Sequence, residues 1–234
     1  MIAMPKYIER SGVTGAEAQH KWDDDDPGIF FLEDERLANR IAKASHRGVI
    51  ALSAGFAEWI AWRSGKHCPE PVLLQEVEAV WAGIIDWRYV HPLGPAKAAP
   101  ERKDWKGAGR GPVRSAFFLL SQIIALVKRG SYPAGASSAL SKLALHIMPN
   151  PKPYKAWRQF AIERLASQYP FDPKEMQGPP VPREALDPDF DYKPEMAREL
   201  LAKFLQGLNY MANPFLRSPE EMKSDGFEGI PYKY

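Results

Sequence analysis

Two stretches, residues 49–62 and 116–127, are apolar almost all the way round a helical wheel, and any fold of this chain has to bury both. A helix with no polar face has no side to turn to water, so each must run through a core with neighbours around it. Glu58 and Gln122 are their polar interruptions. Each run is shorter than the roughly 18–20 apolar residues that span a bilayer, so they read as central helices of a globular domain and no membrane partner is expected.

The rest of the chain supplies partners for them. The first helix is expected from about residue 33 to 64, with Asp34 and Glu35 at the positive end of its dipole and Gly65 as its stop. A second fits residues 71–89, where Leu73, Val77, Val80, Ile84 and Trp87 form an apolar seam at spacings of four and three. Residues 92–112 read as a loop. Pro112 then opens a third helix to about residue 129, because proline suits the first helical position. A fourth spans about 133–148 and a fifth about 154–168. Residues 170–194 hold seven prolines and read as an extended strap. A sixth helix starts at Pro194. Ser218-Pro219-Glu220-Glu221 is a capping-box pattern that announces a short last helix.

No series of alternating β-branched runs occurs, so the expected fold is all-α: an irregular bundle of six to seven helices in a single domain, with a Pro-rich strap. Residues 1–28 read as a flexible N-terminal arm, 29–216 as the helical domain and 217–234 as the short helix and tail. The chain length of 234 residues suits one domain, and its 7 Trp, 9 Tyr and 11 Phe are enough to fill a core. The single cysteine, Cys68, permits no internal disulfide, and residues 1–10 lack the apolar core of a secretory signal. The expected location is the cytoplasm.

Candidate sites are few. Gly107, Gly109 and Gly111 precede a helix whose first turn carries Arg114, and backbone N–H groups at such a start bind anions. Their spacing matches neither a P-loop nor a dinucleotide fingerprint. Around them Lys97, Arg102, Lys103, Lys106 and Arg110 make residues 97–114 basic, with Trp105 available to stack on a base or ring. The net charge of +2 argues against a nucleic-acid footprint over the whole surface. Asp23, Asp24, Asp25 and Asp26 form an acidic run suited to a basic partner, without the spacing of a calcium loop. Glu58 sits in the all-apolar half of the first helix. A carboxylate there must pair or stay protonated, which makes it a weak catalytic candidate or one half of an ion pair with Arg63 or Arg88. Asp86 reads as solvated. His67-Cys68 has no supporting motif, and one cysteine with unspaced histidines builds no metal site.

Three Trp-Arg dipeptides, at 62–63, 87–88 and 157–158, have the composition of an interaction hot spot, or of ordinary core-edge packing. With no catalytic motif, the expected function is a non-enzymatic protein-interaction module, on the pattern of a bacterial immunity or antitoxin-like protein that binds and neutralises a partner. One alternative is an α-helical enzyme or binder of a phosphate-bearing or acidic ligand using residues 107–114. Another is nucleic-acid binding through residues 97–114. No cofactor or metal is implied.

Overall fold

The computed structural model describes residues 2–18, 20–25, 32–68, 70–91 and 103–234. Among these residues the fold is all-α, with nine helices and no β-strand. The helices are α1 (Lys6–Glu9), α2 (Glu35–Ile41), α3 (His46–Ser64), α4 (Val72–Ile85), α5 (Gly107–Lys128), α6 (Ala134–Ile147), α7 (Pro151–Gln168), α8 (Ala197–Gln206) and α9 (Pro219–Ser224). Nine replace the expected six to seven for two reasons. The long first helix divides into α2 and α3, and α1 forms where an arm was expected.

The axis of the domain is α3. From His46 to Ser64 only Arg47 and Trp62 are not fully buried, as the all-round apolar pattern requires. α4, α5 and α6 pack around it, α2 lies on α6, and α7 closes the remaining side. Gly55 lets α7 come close, since a side chain there would meet the Trp157 ring at 2.9 Å. At 22 residues α5 is, by length and composition alone, apolar enough to cross a membrane, contrary to the reading of its shorter apolar core. Its Ala116, Leu119, Leu120 and Ile123 are nevertheless buried inside the domain.

The division between α2 and α3 has a local cause in the cap of α3 and a tertiary one in the strap. The Ser45 side chain accepts from the Gly48 N–H, as an N-cap does. The neighbouring N–H groups of Ser45, His46 and Arg47 donate to the carbonyls of Tyr169, Met176 and Gln177. The Tyr132 hydroxyl reaches the Ala42 and Ala44 carbonyls at 2.7 Å each. The interrupted backbone groups are therefore satisfied by the start of the strap and by one tyrosine. Further along, the strap is fixed by Trp157 Nε1 donating to the Leu186 carbonyl at 2.8 Å, by a Tyr169–Tyr192 hydroxyl contact and by a 3₁₀ turn over Arg183–Leu186.

The N-terminal residues are not a free arm. Ile8 and Val13 are fully buried, and the Tyr7 ring stacks on Trp157 at 5.6 Å. The Arg63 guanidinium, 2% exposed, holds the Ala16 and Glu17 carbonyls at 2.6 Å each and the Ile147 carbonyl at 3.1 Å. At the other terminus the capping box on α9 forms as its residues imply, with Ser218 and Glu221 each accepting from the other's backbone N–H.

Candidate functional site

The glycines of residues 107–111 do not form a loop ahead of a helix. They are the first turns of α5, which begins five residues before Pro112. The carboxylate of Asp24 already accepts the Gly107 N–H, at 2.8 and 3.0 Å, so the anion at this helix start is the chain's own. Trp22 Nε1 donates to the same carboxylate at 2.9 Å. A side chain at Gly111 would lie 2.0 Å from Trp22, and one at Gly109 would lie 2.6 Å from His67. These glycines thus serve close packing rather than a phosphate cradle. Pro112 has no N–H for the Ala108 carbonyl one turn back; His20 Nε2 takes that place at 2.9 Å.

The two oppositely charged segments, proposed as separate recognition surfaces, therefore meet each other. Asp23 accepts the Asp25 N–H within a tight turn. Arg110 pairs with Glu70 at 2.5 Å and lies over the Trp105 ring. The Arg114 guanidinium lies over Phe118 at 4.6 Å. Lys103 and Lys106 are on the exposed side of the same segment. Asp26, Lys97 and Arg102 lie outside the described residues.

Glu58 is 1% exposed, and both its oxygens are engaged. Arg183 donates through Nη2 at 2.6 Å and Nε at 2.9 Å, and Trp81 Nε1 donates at 2.8 Å. The partner is thus on the strap, not Arg63 or Arg88. Arg88 instead pairs with Asp86 at 2.6 Å, so Asp86 is bridged rather than merely solvated. The cavity beside its partners Trp81 and Arg183 is about 10 Å³, room for one water. Buried and paired with Arg183, Glu58 reads as a structural ion. The Cys68 thiol is also quiet. Burial and the neighbouring Glu70 push its pKa up to about 12. Among the described residues no group of three His, Cys, Asp or Glu side chains could hold a metal ion.

One arrangement with room for a ligand involves residues that sequence reasoning passed over. α4 and α5 both pack on α3 and touch each other only along a short stretch. The cleft between them, closed by Val90, His91 and Phe215, holds a cavity of about 270 Å³. Its walls are Ala79, Val80, Phe117, Ile124 and Ala125. At one end stands Glu76, 5% exposed. Ser121 donates to its Oε1 at 2.8 Å, and Oε2 is buried without a partner. Lys128 and Arg129 stand at the other end. A signal for Glu76 was present: it lies three residues after Leu73 and four before Val80, inside the apolar seam of its helix.

Burial raises the Glu76 pKa well above the ordinary carboxyl range, and the Ser121 bond offsets this only in part. The native state thus keeps a proton that the unfolded chain gives up above pH of about 4.3. The resulting stability is present below that pH and is lost as pH rises through the native value. Glu76→Gln keeps the shape and cannot ionise in either state, so it should stabilise the domain by about 0.5–2 kcal/mol at pH 8. The gain should shrink towards pH 5. Equal urea midpoints for the two proteins at pH 8 would count against a protonated, strained Glu76.

No protein-family model matches the chain, and no curated protein or solved structure matches it. The fold and its cavity define the class directly: an all-α domain with a largely apolar cavity between α4 and α5.

Proposed function

We propose that this protein binds a compact, mainly apolar small molecule in the cavity between α4 and α5. The observation that carries this reading is the unpartnered, buried Oε2 of Glu76 in an otherwise apolar wall. A buried polar atom without a partner costs about 1–3 kcal/mol, and a ligand group that meets it recovers that cost.

The test is ligand-observed NMR with 1-octanol and the Ala125→Phe variant, whose ring fills the cavity from α5. The expected result is saturable binding to the native protein and none to the variant, with the fold intact by circular dichroism. Equal binding to both proteins would place the contact elsewhere and end this assignment.

A second reading, the protein-interaction module of the immunity or antitoxin kind, is favoured by a different face. Met211 is 82% exposed, Ile230 64% and Tyr234 43%. Beside them Tyr210 stacks on Tyr232, Tyr232 on Tyr89, and Arg88 lies over Phe227 at 4.4 Å. Exposed Tyr, Met and Arg together are the composition of an interface core. A partner captured here from native cells should stay bound at high salt and be lost with Met211→Asp and Ile230→Asp. Release by salt alone would assign the contact to the charged segments instead.

A further inference from the structure

The cavity is polarised along its length, and the polarity constrains its occupant. Phe117, Ser121, Ile124, Ala125 and Lys128 follow one stripe of α5. Seven residues separate Ser121 from Lys128, which at the rise of a helix is about 10 Å, the reach of an octyl chain. The buried Glu76, bonded to Ser121, marks the inner end of that path, and the exposed cations Lys128 and Arg129 mark the outer end. Size agrees with length. An apolar cavity of roughly 150 Å³ takes a benzene, so the 270 Å³ here suits a body somewhat under twice that size.

Resting on the ligand-binding reading above, we infer that the occupant is a small organic anion, with its apolar body against Phe117, Ile124 and Phe215 and its anionic head held by Lys128 and Arg129. The charges around the mouth favour this orientation. Lys128 Nζ lies 4.9 Å from the centre of the Trp87 ring, a cation–π contact at the mouth of the cavity. Burial pushes its ammonium down from the ordinary lysine value, so an anion alongside would stabilise the charged form. His91 also lines the mouth, and the acidic group facing it is Glu221, at 3.8 Å from the imidazole. That carboxylate is placed on His91, and the two cations of α5 remain for a ligand. A carboxylate entering head first would instead meet Glu76, a carboxyl in an apolar wall.

The experiment is titration calorimetry at pH 7 and low salt with three probes of one length: octanoate, 1-octanol and octylamine. Octanoate should bind about ten-fold more tightly than 1-octanol, the worth of one charge-assisted contact. The Lys128→Ala/Arg129→Ala double variant should erase that difference, and added salt should reduce it. If octanoate and 1-octanol bind equally, the anion assignment falls while the cavity reading stands. Tightest binding by octylamine would also overturn it, since Glu76 would then be acting as a counter-ion. If none of the three binds, the ligand-binding reading itself is lost.

Discussion

Glu58→Gln should destabilise the domain by about 3–5 kcal/mol, the cost of removing one partner from a buried ion pair. Glu58 lies on the fully buried stretch of α3, and Arg183 reaches it from the strap with two hydrogen bonds. The neutral amide would leave the guanidinium charge uncompensated in a site where only about a fifth of the arginine side chain meets solvent. It would also turn a donor towards either Arg183 or Trp81, both of which are donors. The damage should be local first. Amides of residues 181–187 should exchange faster than those of α3, because Arg183 is what anchors the strap turn to the core. The double variant Glu58→Met/Arg183→Met should recover most of the loss, since an apolar pair of similar volume avoids the desolvation of both ions. Urea unfolding at pH 7 measures all three proteins. A loss below 1 kcal/mol for Glu58→Gln would mean that the pair contributes little and that the strap is held by its apolar residues alone.

Arg63→Met should cost about 3–5 kcal/mol by a different mechanism. Among the described residues Arg63 makes no ion pair. Its three nitrogens each serve one backbone carbonyl: Ile147 at the end of α6, and Ala16 and Glu17 at the end of the N-terminal segment. Burial lowers its pKa, yet arginine stays charged far above neutral pH. Methionine fills the volume and leaves those carbonyls without donors. Residues 2–18 should then detach, exposing Ile8 and Val13, and limited proteolysis should cut there before the rest of the domain unfolds. Arg63→Lys should rescue little, because one ammonium cannot reproduce the fork that spans two chain segments. Continued protection of residues 2–18 in Arg63→Met would show that the aromatic contacts of Tyr7 suffice to hold them.

Much of the fold was legible from local pattern. The α9 cap, the Gly65 stop and the central placement of residues 49–62 follow from residues within a few turns of one another, whereas the run at 116–127 is only partly buried, with Phe118 40% exposed. The errors have a common origin. Residues 33–64 carry helix-forming residues throughout and no proline or glycine at 42–45. Ser45 caps α3 locally, and the carbonyls that take the N–H groups at that N-terminus come from a segment more than a hundred residues later in the chain. Pro112 looked like a first helical residue because proline belongs there. α5 runs through it because His20 donates to the carbonyl that proline leaves empty. The charged runs at 23–26 and 97–114 read as surfaces for partners, and among the described residues the Asp24 carboxylate joins them by accepting the Gly107 N–H, a contact more than eighty residues apart in the chain.

By itself the sequence determined an all-α domain, the identity of its central helix and the chemistry of its caps. Burial demand and capping are written at intervals of three or four residues, and local physics reads them. Only the tertiary structure decided that Glu58 faces Arg183, that Arg63 clamps the N-terminal segment, and that Glu76 borders a cavity. Each depends on which apolar faces meet. The cavity exists because α4 and α5 both spend their apolar seams on α3 and diverge beyond it, a packing geometry that no window of sequence contains.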